Sequence, residues 1–294
     1  MNLLLINNPT AGGEGAMRLR RLLAILSGMG AHVTRIATQE AGHAERIGFE
    51  HDFTGIDRIV VAGGDGTLNE VVNGLQRRTD GIIPPPIAFA PFGTANVLAH
   101  ELALDRSVEG IARKVMQGEP FEVTPGISNG RRFVLMVSAG IDSIAVDGVD
   151  PAIKARTGPL AYVWSGLQAL GQFKNLHLRI TVDNHDPVDG ATVIVTRGHK
   201  YGGFFVTAPD ARLEDEALHA VIFKNGSLAA VFGYAWGLTT ARLQNHPDIT
   251  IISGKQVRVE APTGKPIPVQ ADGDITTATP LDLSLDSRPI RLVR

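Results

Sequence analysis

The sequence predicts an α/β N-terminal domain with a parallel sheet covered by helices on both faces, followed by a C-terminal β-sandwich with helical inserts. Three observations carry this. Up to about residue 122, short apolar runs rich in β-branched residues alternate with stretches of helical periodicity. Two of those strands run directly into glycine turns that open helices. From residue 123 on, helices become rare and short strands are separated by turn signals such as Asp183-Asn184, Asn225-Gly226 and Ser253-Gly254.

In chain order, Leu3 to Ile6 is a strand ended by Asn7-Asn8-Pro9-Thr10-Ala11-Gly12-Gly13. A helix from about Ala16 to Met29 carries Leu19, Leu22, Leu23 and Leu26 inward. Its Arg18, Arg20 and Arg21 read either as solvated side chains or as phosphate contacts. His32 to Ala37 alternates like a second strand, Thr38 ends it, and Gly42 to Phe49 reads as a helix. Ile56 to Val61 is the third strand, and Ile87 to Ala90 the fourth. Parallel sheets of this kind bind ligands at the carboxyl ends of their strands, where Thr38 and Asp65 both fall.

The second domain, residues 123–294, is expected to hold strands at Phe133–Val137, Leu178–Val182, Ala191–Thr196, Phe204–Thr207, Ala217–Phe223, Ile249–Ile252, Gln256–Glu260, Pro268–Gln270 and Leu281–Leu285. Helical inserts are expected at about Ala152–Gln172 and Leu228–Gln244. The last residues, about 286–294, are expected to return to the first domain. A cleft between the domains is the natural place for an active site.

Composition narrows the function classes. With 44% hydrophobic and 20% charged residues, the chain is that of a soluble globular protein. A net charge of −2 gives no reason to propose nucleic acid as a partner. The absence of cysteine removes disulfides, thiolate zinc sites and a cysteine nucleophile, and fits a reducing cytoplasm. The N-terminus reads as a strand, not as a signal peptide. No apolar run reaches the roughly 18 residues of a membrane span. The nearest, Leu228 to Leu243, contains Tyr234, Trp236 and Arg242. The nine histidines are scattered without metal spacing.

The stretch around which the chain is organised is Val60-Val61-Ala62-Gly63-Gly64-Asp65-Gly66-Thr67-Leu68-Asn69-Glu70. It reads as a strand end, a glycine turn with one carboxylate, and a helix start with Thr67 and Glu70 as a capping box. Free N–H groups at a helix start suit phosphate. A carboxylate beside a phosphate needs a cation between them, so Asp65 suggests Mg²⁺ with a nucleotide. The turn lacks the Gly-Lys-Ser/Thr of a Walker A loop, and Asn69 stands where a dinucleotide fingerprint has its third glycine. A plain strand-to-helix turn remains the alternative. Pro91-Phe92-Gly93-Thr94-Ala95-Asn96 is a second such turn, in which Thr94 either caps a helix or closes a nucleotide crevice.

The Gly-Gly-Asp-Gly-Thr string resembles the nucleotide loop of the superfamily holding NAD, diacylglycerol and sphingosine kinases. Further matching elements are Asn8-Pro9, Thr38 in Thr-Gln-Glu-Ala-Gly-His-Ala, Pro91–Asn96, Ala139-Gly140-Ile141-Asp142, Ala208-Pro209-Asp210-Ala211 and Asp272-Gly273-Asp274. In that order and spacing they resemble the bacterial diacylglycerol kinase family nearly end to end. The resemblance implies an ATP- and Mg²⁺-dependent lipid kinase that phosphorylates a diacylglycerol-like or sphingoid hydroxyl. It assigns ATP contacts to Thr38, Gly64, Asp65, Gly66, Thr67, Leu68, Asn69, Glu70 and Thr94. Asp274 is the implied catalytic base and Asp65 the residue that helps hold the ion. Read alone, Asp272-Gly273-Asp274 is a hairpin turn.

The resemblance also implies a structural Mg²⁺ bound by the backbone of Arg212, by Asp215 and by the backbone of Ala217. Three positions depart from the family pattern: Glu216 replaces a glycine, Val97 an aspartate, and Asp274 a glutamate. The implied partners are a lipid substrate, a membrane surface met peripherally from the cytoplasm and, as an open expectation, a second copy in a homodimer. Trp164, Leu167, Phe173, Phe204 and Phe205 are candidates for membrane contact or for the core. The alternatives are a small-molecule kinase such as NAD kinase, or a catalytically silent nucleotide-binding regulator.

Overall fold

The structure is a computed structural model that describes residues 1–10, 15–141, 143, 176–262 and 265–294, with the side chains of Leu228 and Asp274 left aside. Asp142, the expected insert at about Ala152–Gln172, and Trp164, Leu167 and Phe173 lie outside the described residues. The chain forms two compact units, Met1–Val123 with Arg288–Arg294, and Thr124–Ser287.

In the first unit β1 (Asn2–Asn7), α1 (Gly15–Gly28), β2 (His32–Ala37), α2 (His43–Glu50), β3 (Arg58–Gly63), α3 (Asp65–Gln76) and β4 (Ile87–Pro91) alternate. Two helices, α4 (Val97–Glu101) and α5 (Val108–Gln117), and strand β5 (Pro120–Val123) follow. The strand order is β2-β1-β3-β4, all parallel, then β20 (Ile290–Val293) parallel to β4, and β5 antiparallel at the edge. Sequence reasoning missed β5 and β20, whose short runs carry little periodicity.

The strands are apolar on both faces because helices cover both. Leu3, Leu5, Val60, Ala62 and Ala88 pack with Leu19, Leu22 and Leu26 of α1 and Ile111 and Val115 of α5. Leu4, Ile6, Ile59 and Val61 alternate to the other face and are equally buried. Helices α2 and α3 pack against each other backbone to backbone. A Cβ at Gly48 would lie 2.7 Å from the Val71 carbonyl oxygen, and one at Gly74 would overlap the Glu45 carbonyl.

The second unit is an antiparallel sandwich. Its strands are β6 (Gly126–Ser128), β7 (Arg131–Phe133), β8 (Met136–Ala139), β9 (Leu178–Val182), β10 (Val188–Gly190), β11 (Thr192–Thr196), the hairpin β12 (Lys200–Tyr201) and β13 (Phe205–Val206), and β14 (Leu218–Phe223). After helix α6 (Leu228–Thr239) come β15 (Ile249–Gly254), β16 (Gln256–Glu260), β17 (Pro268–Ala271), β18 (Asp274–Ala278) and β19 (Leu281–Leu285). One sheet runs β10-β9-β16-β19-β6-β7 and the other β15-β14-β11-β8-β17-β18. Ile180, Val257 and Leu283 of the first meet Val137, Val193, Ala220 and Val269 of the second in one core.

The strand expected at Phe133–Val137 is two strands in different sheets. At the switch between them, the Asp272 carboxylate accepts the Val134, Leu135 and Met136 N–H groups at 2.8, 3.0 and 2.9 Å. The expected Leu228–Gln244 helix ends at Thr239, and Leu243–Asn245 is a separate 3₁₀ turn. Among the described residues no helix is long and apolar enough to cross a membrane.

Gly74→Ala forces α2 and α3 apart. The expected loss is about 2 kcal/mol or more of stability, typical of overpacking a closed contact, measured by urea denaturation.

Candidate active site

Four parallel strands end on one edge of the first sheet, and each delivers part of the candidate site. Asn7 and Asn8 end β1, Thr38 follows β2, Gly63 and Gly64 end β3, and Pro91 to Thr94 end β4. Thr38 is buried, and its N–H donates to the Asn7 carbonyl at 2.8 Å. The Asn8 side-chain amide lies 3.4 Å from Thr67 Oγ1. The Asn7 side-chain oxygen accepts from Arg35 Nε at 2.8 Å.

The two glycine turns touch. Phe92 and Gly93 both donate to the Gly63 carbonyl, at 2.9 and 3.0 Å. A Cβ at Gly93 would stand 2.5 Å from Gly64 Cα, so only glycine lets the two backbones approach this closely. The Asp65 carboxylate completes the joint: Oδ2 accepts from Val97 N at 2.8 Å and Oδ1 from Leu98 N at 3.1 Å. Asp65 therefore caps α4, and Thr94 does not. Thr94 is exposed, and α4 opens after Asn96, a left-handed residue whose own side chain makes no cap hydrogen bond.

The capping box expected of Thr67 and Glu70 is also absent, because α3 begins two residues earlier, at Asp65. Glu70 instead reaches α2, where its two carboxylate oxygens accept from Gly42 N at 2.9 Å and Ala44 N at 3.1 Å. A carboxylate at a helix start is favoured by the helix dipole, so Glu70 fixes α2 beside the Thr38 loop. Leu68 and Asn69 turn inward; Leu68 is in the core, and Asn69 Oδ1 accepts from Asn73 at 2.8 Å. The first turn of α3 carries helix-start N–H groups at Gly66, half-buried, and Thr67, buried, and Thr94 beside it is exposed.

Burial pushes the Asp65 carboxyl above the ordinary range, and the Leu98 and Val97 N–H groups only partly offset this. No basic side chain among the described residues compensates it. A half-buried carboxylate without a counter-cation is an oxygen donor that fits Mg²⁺.

Arg18, read as solvated or phosphate-binding, lies over the Phe92 ring at 4.7 Å and donates to the Arg106 carbonyl at 2.9 Å. Arg21 pairs with Glu109 of α5. Arg18 thus packs on Phe92, whereas Arg20 and Arg21 are exposed, as the solvated reading expects.

In the second unit, Asp272 and Gly273 form the two-residue turn of the β17–β18 hairpin, with φ of 48° and 96°. Asp274 opens edge strand β18 opposite Ala271. The hairpin reading of this motif is thus the geometry found, and it sets Asp274 on a turn anchored by the three hydrogen bonds of Asp272.

Of the residues assigned to a structural Mg²⁺, the Ala217 carbonyl oxygen already faces a side-chain cation, and Arg212 and Asp215 are bonded to each other. Arg212 N donates to Asp215 Oδ2 at 2.9 Å, and Asp215 N donates to the Arg212 carbonyl at 3.1 Å. Arg197 donates to the Ala217 carbonyl. Sequence reasoning passed over Arg197, although a lone arginine after the apolar run Val193–Thr196 was the signal available.

Between the ordinary aspartate value of 3.8 and the raised value of Asp65, the folded chain keeps a proton that the unfolded chain has released. Stability then falls as pH rises through that window. Asp65→Asn removes this titration. The stability of wild type minus that of the variant should decline with rising pH across the window, as read from denaturation midpoints.

Residues 2–126 match the family profile of the diacylglycerol kinase catalytic domain, and residues 135–294 that of the YegS C-terminal NAD kinase beta sandwich-like domain. A diacylglycerol kinase of Staphylococcus carnosus (strain TM300) is 28% identical over 276 residues, covering 92% of this chain and 87% of that protein. One from Staphylococcus aureus (strain bovine RF122 / ET3-1) is 27% identical over 273 residues, covering 92% and 85%. The crystal structure of a presumed diacylglycerol kinase from Bacillus anthracis str. Sterne superposes with a TM-score of 0.80 at 25% identity, covering 99% of this chain and 94% of that one. With both profiles matched in order along the chain, and both units folded as those profiles require, the chain belongs to the bacterial diacylglycerol kinase family of kinases.

Proposed function

We propose that the protein transfers the γ-phosphoryl group of ATP to the hydroxyl of a lipid, diacylglycerol-like or sphingoid. The observation that carries this reading is the joint between the two glycine turns, which sets the start of α3 at the carboxyl ends of the parallel strands. That geometry suits a nucleotide phosphate chain. Thr38, Gly64 to Glu70 and Thr94 are the nucleotide-binding segment in this reading. Gly66 and Thr67 contribute N–H groups, Thr94 its hydroxyl, and Asp65 and Glu70 hold the loops in register.

Mg²⁺, when bound, would neutralise charge on the phosphates, and Asp65 is the residue that would hold it. Asp274 acts as general base. It takes the proton of the lipid hydroxyl as the oxygen attacks the γ-phosphorus, and ADP leaves on the opposite side. An aspartate is one methylene shorter than glutamate, so in this reading the carboxylate sits closer to the acceptor, on a turn anchored by Asp272.

The lipid acceptor requires contact with a membrane, and the protein is proposed to be cytoplasmic and peripheral, with a homodimer as a further expectation. Helix α6 supports the contact. It has no charged residue, buries Ala230 and Tyr234, and leaves Phe232 and Trp236 exposed by 62% and 73%. Phe204, beside β13, is exposed as well, whereas Phe205 is half-buried. Apolar rings gathered on one surface suit an acyl interface.

Purified protein with Mg²⁺ and γ-labelled ATP is expected to label one lipid among diacylglycerol, monoacylglycerol, sphingosine, ceramide and phosphatidylglycerol in mixed micelles. The label should be lost in Asp274→Asn. Label in NAD alone would sink the lipid assignment, and nucleotide binding without product would sink the transfer. Trp236→Ala should lower partitioning onto anionic lipid vesicles roughly tenfold, the effect of removing one buried aromatic ring, with kcat on micellar substrate unchanged.

A further inference from the structure

We infer that the guanidinium of Arg197 is a built-in cation that holds the 212–217 loop in place of a divalent metal ion. Arg197 follows β11 and is fully buried. Its Nε donates to the Thr124 carbonyl at 2.8 Å. One terminal nitrogen donates to the Ala217 carbonyl, and the other to those of Leu213 at 2.9 Å and Asp215 at 2.5 Å. Four carbonyl oxygens and a neighbouring aspartate form an oxygen cage of the kind that hard cations occupy. Here a planar fork with five N–H donors fills it.

The surroundings agree. The Asp215 carboxylate is already faced by Arg212 N–H and by His219 Nε2 at 3.7 Å. His219 is fixed from behind by Ser253 Oγ at 2.8 Å. Glu216 is directed to Lys255 at 3.5 Å. A divalent ion bound to the Ala217 oxygen would stand against a positive charge that cannot leave, since the side chain has no exposed surface. Thr124 is the first residue of the second unit, so the same side chain ties the entry of that unit to a loop about ninety residues later.

Hydrogen exchange of the amides of residues 210–218 tests this in the full chain without nucleotide, in Mg²⁺ and in EDTA. Wild type should exchange at the same rate in both. Arg197→Met should exchange at least roughly tenfold faster in EDTA, as expected when buried carbonyls lose charged donors. Arg197→Lys, which keeps the charge without the fork, should fall between. Faster exchange of the wild type in EDTA than in Mg²⁺ would overturn the inference, as would an Arg197→Met segment as protected as the wild type. The wild-type comparison stands even if Arg197→Met does not fold. Because no activity is measured, the result is independent of which acceptor the kinase uses.

Discussion

The candidate site depends on a carboxylate that closes a joint in the backbone. Two strand-to-helix turns come from neighbouring strands, and their glycines bring Gly64 and Gly93 into contact. Such an approach places N–H groups near each other with few acceptors among them. Asp65 supplies two acceptors for Val97 and Leu98, and the Gly63 carbonyl serves Phe92 and Gly93. Removing the carboxylate would strand two amides at about 1–3 kcal/mol each. Asp65 is thus first a positioning residue, and any role toward a cation is exercised from a carboxylate already oriented by the fold.

Carboxylates do this at several places among the described residues. Asp65 opens α4, Glu70 opens α2, and Asp272 gathers three amides where the chain crosses between sheets. Each sits in a motif that the sequence presents as chemistry. The family likeness was read correctly, and so was the fold class, because glycine turns and alternating periodicity are local features. The partners of each carboxylate lie 26 to 138 residues away in sequence, and no local pattern specifies them. The capping box at Thr67 failed for this reason: Glu70 had a better partner in α2 than in its own helix.

Arg197 was illegible for the opposite reason. A single charge after an apolar strand reads as the strand's end, and only the fold shows four carbonyls converging on it. Short edge strands such as β10 and β18 were missed because three to five residues carry too little alternation to separate strand from loop. Phe232 and Trp236 lay in a stretch that read as a helix, but which of its faces stayed uncovered depended on the 3₁₀ turn at Leu243–Asn245 packing against the other side.

Strand β20 has a consequence for the order in which the molecule can be built. It lies between β4 and β5, pairing Leu292 with both Ile87 and Phe121, yet it leaves the ribosome only after the whole sandwich has been synthesised. Until then β4 has an open flank and β5 no neighbour, so the parallel sheet that carries the candidate site is incomplete during most of translation. Vectorial synthesis therefore gives the sandwich, contiguous in sequence, the first opportunity to fold, and the site-bearing unit closes last.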